Sequence, residues 1–399
     1  MTQWREVALG EGVAVHHGFA FKGEYFATQG ELIVLTPGNF IDAGGFKSKS
    51  GQEKYYNGPV PPGYLLSRGD VVVAMTEQAY GLLGSSATIP ADGSYLHNQR
   101  LGLLRVTDPE LFDLRFLYHA FNSPRVRSQI QERATGSKVR HTAPERIQAV
   151  KVSVPSVSQQ RTIAGVLDSI DALIENNRRR VEVLEEMARA IYREWFVHLR
   201  YPGHESDTFI ESPFGRIPEG WHYVDLGEVV ELRYGKALKK ENRRPGGVAV
   251  LGSSGVVGWH DEELISGPAI IIGRKGNVGS VSWVDGPCWP IDTTYFVMTD
   301  FPKRYVAEQL RRTEFLNTHA AVPGLSREQA LSRPFLKPPY EVAARFEEMA
   351  ETLARIGSSI AASATQLSKI RDLLLPKLVT GQIDVSSLDL DALVERSVE

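Results

Sequence analysis

Apolar residues return in alternating steps of four and three from Ile163 through Leu167, Ile170, Ile174, Asn177, Val181, Leu184, Ala188 and Ile191 to Trp195. That spacing is a heptad seam and predicts one long helix with a single apolar face. Shifted by 183 residues, Phe346, Ala350, Leu353, Gly357, Ile360, Ala364, Leu367, Arg371, Leu374 and Leu378 fall at the same positions, and Gly381 follows as a C-cap. Glu175 with Arg179 and Glu185 with Arg189 add i,i+4 pairs on the outer face. Two seams separated by globular chain are expected to pack against each other as an antiparallel coiled coil. Helices of a partner protein are a rival cover for part of the same surface. Asn177 is the polar member of the first seam, either a register pin or a solvated amide where the seam frays. A helix of about 35 residues measures roughly 50 Å.

Elsewhere the pattern is short and strand-like. Runs such as Leu32–Thr36, Asp70–Met75 and Gln148–Val154 are separated by Gly and Pro punctuation, and a helix is expected to start near Asp108 in DPELFDLRFLYHAFNS. A second is expected over Arg304–Asn317. The chain also repeats itself: WREVALGEGVAVHHGFAFKGE from Trp4 returns as WHYVDLGEVVELRYGKALKKE from Trp221, an offset of 217, whereas Pro155 and Pro338, which lead into the two helices, are 183 apart. The first globular segment therefore carries 34 residues more than the second. These patterns predict an α+β chain of two similar strand-rich domains alternating with two long helices. The boundaries read as domain 1–154, helix 155–200, linker 201–220, domain 221–337, helix 338–381 and acidic tail 382–399.

With 399 residues, of which 42% are hydrophobic and 23% charged, the chain is long enough for several cores without covalent staples. A single cysteine, Cys288, leaves no disulfide framework and no Cys-rich zinc site, which fits a reducing cytoplasm. The longest apolar runs fall far short of a membrane span. Net charge is −3, unpromising for a nucleic-acid binder, yet residues 124–151 and 232–244 each carry a local +5. Each globular copy thus has its own basic segment.

Motifs for chemistry are missing. KPPY at Lys337–Tyr340 looks like the adenine-methyltransferase turn but has Lys where an acceptor is required. No lysine has an acidic residue two positions earlier, as magnesium nucleases need, and Gly235-Lys236 lacks the rest of a phosphate-binding loop. The ten histidines show no zinc spacing. No catalytic residue, metal or cofactor is expected.

The strings AIYREWFVHL (190–199), FGRIPEGW (214–221) and LLLPKLVTGQIDV (373–385), in that order and with the half-repeat, resemble the specificity subunits of type I restriction-modification systems over essentially the whole chain. The resemblance implies a non-catalytic, cytoplasmic subunit whose two target-recognition domains each read one half of an interrupted site on double-stranded DNA. It also implies that the helices set the gap and dock two methyltransferase subunits, and that endonuclease and translocase subunits join the complex. A rod of that length spans roughly 15 base pairs. A helical scaffold whose duplicated domains bind two proteins is the alternative.

Reading base edges calls for Arg, Lys, Asn or Gln on rigid loops. In the second domain the candidates are Arg274, Lys275 and Asn277 in GRKGNVG, Tyr234 and Lys236 in RYGKALKKE, and Arg327 in PGLSRE. Their expected first-domain counterparts are Gln78 and Tyr80, Lys22, and Lys138, Arg140 and His141.

Overall fold

The computed structural model describes residues 4–49, 51–78, 81–315 and 324–385. It divides into two compact units, Met1–Asn176 with Ser363–Glu399, and Asn177–Ala362, so each unit holds one globular domain and part of both long helices. None of the described helices is long and apolar enough to cross a membrane.

In the first unit, strand Arg5–Ala8 pairs antiparallel with Lys151–Val154 and frames the domain. A 3-10 turn, Leu9–Glu11, follows, its entry fixed by the Ala8 N–H donating to Glu11 Oε1 at 2.7 Å. A four-stranded antiparallel sheet then runs in the order Val13–His17, Leu101–Val106, Val71–Ala74, Ser86–Thr88. The second unit repeats the scheme: His222–Asp225 pairs with Pro334–Lys337, the turn Leu226–Glu228 is closed by Asp225 N–H on Glu228, and the sheet runs Glu231–Tyr234, Thr294–Met298, Ala269–Gly273, Val281–Val284. The inner strands VVVA and AIIIG are apolar throughout because both their faces are buried.

Strand register locates the extra residues. The offset between equivalent positions is 217 at Arg5 and His222, 199 at Val73 and Ile272, 193 at Gly102 and Tyr295, and 183 at Val154 and Lys337. Eighteen of the 34 residues thus precede the Val71–Ala74 strand, six lie between it and its neighbour, and ten lie beyond. The largest share lengthens the path from Ile33–Val34 to Tyr55–Tyr56, where the second domain instead makes a tight hairpin between Val248–Gly252 and Gly255–His260.

Both long helices form, over Val157–Tyr192 and Tyr340–Leu378, and no seam residue is exposed. In the first unit Ile163, Ala164 and Leu167 share a core with Leu375, Leu378 and Val379, and Arg371 pairs with Asp171 at 3.2 Å. In the second, Tyr192, Trp195 and Phe196 pack with Trp221, Tyr305, Phe346 and Ala350. Phe196 sits edge-on to Tyr305 at 4.6 Å between ring centroids, which explains the aromatic content of AIYREWFVHL. The long helices also hold the domains. Gln160 is fully buried and accepts the Asp113 N–H while donating to the Leu111 carbonyl. In the second unit Glu347 does similar work, accepting the N–H of Arg304 at 2.7 Å.

Several boundaries move. The helix expected near Asp108 is Leu114–Phe121, capped by Asp113, whose carboxylate takes the N–H groups of Arg115 and Phe116; Asp108 only caps the turn before it. The strand expected from Gln148 starts at Lys151, because Pro144–Gln148 is a short helix. The helix expected to reach Asn317 is Lys303–Arg312, and Asn317 lies outside the described residues. The linker 201–220 carries a hairpin, Phe209–Ser212 with Gly215–Pro218. Gly381 does end the second helix with φ 74°, and its missing side chain leaves room for the Trp4 ring.

Candidate nucleic-acid interface

In the second domain the three candidate sets, far apart in sequence, meet at one end of the sheet. Tyr234 ends the edge strand and is half-exposed, with its ring 5.0 Å from that of Tyr295 on the neighbouring strand. The Arg274 guanidinium lies 5.3 Å from the Tyr234 ring and 5.9 Å from Tyr295, and Arg327 lies 5.8 Å from Tyr234. Arg274 Nε and Nη2 also donate to the Asp292 carbonyl, so the guanidinium is held from its edge and its face. Burial, with the Tyr234 hydroxyl beside it, pushes Tyr295 up to about 12, so the phenol stays neutral. Lys236 stands 5.6 Å from the Trp289 ring, whose indole N–H donates to the Lys236 carbonyl.

The loop Gly273–Gly279 closes on itself. The Gly279 N–H donates to Gly273, and Ser280 Oγ donates to the carbonyls of Asn277 and Ser253. A Cβ at Gly273 would collide with the Asn277 carbonyl, so only glycine permits the turn. Lys275 and Asn277 are exposed at its tip.

The first domain solves the same position differently. Thr76–Glu77 pairs with Arg140–His141, as Lys275 pairs with Gly324, and the Met75 and Arg274 carbonyls accept from Thr142 and Leu325 N–H, each at 2.9 Å. Arg140 is turned inward: Nη1 donates to the buried Glu77 carboxylate at 3.0 Å, and Nη2 to the Gln131 carbonyl. Glu77 in turn accepts the N–H groups of Gly81 and Leu83, bracing the loop. Gln78, Lys138 and His141 are exposed, and Tyr80 lies outside the described residues. Gln78 and His141 line a cleft of about 830 Å³ with Lys49, Lys54 and Arg100. Lys49 and Lys54 come from the lengthened path before Tyr55 and were not among the candidates that the sequence suggested. Lys22 is exposed beside Glu24 at 3.8 Å and does not line that cleft.

Register also reassigns one counterpart. Gly324 and Leu325 match His141 and Thr142, so Arg327 matches Pro144 rather than Arg140 or His141. The basic run 124–151 is largely tied up inside its own domain. Arg125 and Lys151 face Glu6, Arg127 donates to the carbonyls of Asp42 and Gly81, and Arg146 donates to Thr135. In the run 232–244, Arg233 pairs with Glu231 and Arg244 with Asp261 and Glu262. Lys236, Lys239 and Lys240 have no carboxylate partner among the described residues. Cys288 is buried, which pushes its thiol up to about 11 and leaves it unreactive.

A family model described as the type I restriction modification DNA specificity domain matches residues 1–186 and again 218–299. The chain is 22% identical over 309 residues to the type I restriction enzyme MjaIX specificity subunit of Methanocaldococcus jannaschii, covering 68% of this chain and 70% of that one. It is 25% identical over 239 residues to the EcoBI specificity subunit of Escherichia coli, covering 58% and 47%. The fold is similar to the crystal structure of the type I restriction-modification system S subunit from M. genitalium, with a TM-score of 0.56 and 17% identity over 95% of this chain and 96% of that one. With matches to the family model in both halves that together span more than half of its length, the chain belongs to the type I restriction-modification DNA specificity family.

Proposed function

We propose that each of the two domains reads one half of an interrupted sequence on double-stranded DNA, using the loops that leave the same end of its sheet. The observation that carries this reading is the shared register of the two sheets with unlike side chains at the loops: Arg274 on Tyr234 with Lys275 and Asn277 exposed on the same loop in one, Gln78, His141, Lys49 and Lys54 around a cleft in the other. A common frame with different donors fits two different half-sites. As a specificity subunit the chain supplies recognition, and the chemistry belongs to its partners.

The two helices act as an antiparallel coiled coil that sets the gap. Supporting this, Ile163 shares a core with Leu378 and Tyr192 with Phe346, so the partner's number falls as the first helix advances. Two methyltransferase subunits dock on the outer faces of the helices, and endonuclease and translocase subunits join the cytoplasmic complex. In favour of two copies of one partner, Leu173 and Ile356, and Met187 and Ile370, are exposed apolar residues at positions 183 apart, the offset of the helix repeat. The test is a map of methylated adenines in the host genome with and without this gene. Loss of methylation at one asymmetric, interrupted motif is the expected result. An unchanged map, with partner subunits present and active, would overturn the reading in favour of a protein scaffold.

A further inference from the structure

We infer that Gln78 and Asn277 are one and the same reading position in the two domains, each contacting an adenine at the matching place in its half-site; the inference rests on the proposed function. The equivalence comes from backbone geometry. Met75 and Arg274 accept hydrogen bonds from Thr142 and Leu325, and the next residues, Thr76 and Lys275, stand opposite His141 and Gly324. Counted two residues further at the offset of 199, Gln78 falls with Asn277.

The residues between are unlike. Glu77 is a buried carboxylate where the second domain has Gly276 with φ +80°, and Met75 is buried where Arg274 packs on two tyrosines. A carboxamide is nevertheless present on both loops. Both are exposed, and neither side chain has a hydrogen-bond partner among the described residues. Their supports, by contrast, are firm. Glu77 holds the N–H groups of Gly81 and Leu83 on one side of the comparison, and Ser253 and Ser280 hold the Asn277 main chain on the other. A side chain left free on a braced backbone is arranged to meet something outside the molecule. A carboxamide offers one donor and one acceptor side by side, the pattern that matches N7 and the N6 amino group of adenine in the major groove. Nearby cations, Lys275 in one domain and Lys49 and Lys54 in the other, suit the adjoining phosphates.

The experiment expresses the full chain with its methyltransferase partner in a host lacking other adenine methylation, and maps methylated sites by single-molecule sequencing. Asn277→Ala is expected to relax one A·T position in one half-site by at least about fivefold, and Gln78→Ala the equivalent position of the other half. Unchanged motifs at wild-type methylation levels would overturn the inference, as would relaxation at a G·C pair or at non-equivalent positions. Should an alanine variant mark no site at all, Asn277→Asp and Gln78→Glu keep the shape but lose the donor, and full retention of adenine in those would overturn it equally. A wild-type complex that left no interrupted motif would overturn the underlying reading and this inference with it.

Discussion

The two domains share a frame and diverge in how they stabilise the loop that leaves it. In the first, an ion pair between buried Glu77 and half-buried Arg140 ties the loop to a strand 63 residues away in sequence, and a long insertion helps line a cleft. In the second, the same place is open, and Arg274 is held by tyrosine rings and a main-chain carbonyl rather than by a carboxylate. Charge that is neutralised inside a domain is lost to a polyanion outside it, whereas a guanidinium stacked on neutral rings keeps its charge for the surface. Equal local charge in two sequences therefore does not mean equal basic surface in two folds.

The contrast can be broken most severely at Glu77. Glu77→Ala removes the buried carboxylate that accepts from Arg140 and from the Gly81 and Leu83 N–H groups, and is expected to cost the first domain about 4 kcal/mol. Chemical denaturation followed by hydrogen exchange in each domain measures it. A loss under 1 kcal/mol, or one shared with the second domain, would contradict the account.

Acid should separate the domains next. Burial holds the His97 imidazole at about 4, below its ordinary 6.5, and its ring bonds the Leu101 carbonyl at 3.0 Å. On acidification the unfolded chain therefore binds the proton first. The contribution of the neutral ring is complete above pH 6.5 and is lost between there and about pH 4, by roughly 3 kcal/mol at most. Lys236 N–H donates to Pro290 as Phe19 N–H does to His97, so a proline occupies the matching position in the second domain. The first domain should loosen alone in this window, and His97→Gln should flatten the response. Parallel acid profiles in both domains would refute this.

Symmetry should reappear at a pair of glycines. A Cβ at Gly18 would collide with the Asn98 carbonyl, and one at Gly235 with that of Ile291. Alanine at either is expected to cost its own domain about 2 kcal/mol, equally in the two. A large inequality, read by thermal unfolding of each variant, would show that the frames are less alike than their registers. The smallest effect is expected from Tyr234→Leu, which removes the ring under Arg274 and Arg327. About 1 kcal/mol of local stability should go, seen as faster amide exchange across Gly273–Gly279 with the first-domain loop unchanged.

The long helices were legible because one physical demand, a continuous apolar seam, sets every third or fourth residue from Ile163 to Trp195. The short helices Pro144–Gln148 and Arg327–Leu331 were not, since a turn and a half is too brief to show a period. Candidate residues in the second domain converge because their loops leave one end of the sheet. Arg140 shows the opposite limit: nothing local in TGSKVRH indicates that its guanidinium meets a carboxylate on a distant strand. Lys49 and Lys54 are not legible because they lie in an insertion with no counterpart in the repeat.

The steps in offset from 217 to 183 all fall between the strand pair Arg5–Ala8 with Lys151–Val154 and its twin, and are complete before either long helix begins. Length can thus be gained or lost inside a domain without changing the residue at which its helix starts. Such an arrangement makes the chain modular in heredity as well as in form. One domain can be lengthened or re-edged while the strands of the other, and the start of either long helix, inherit no need for a compensating change.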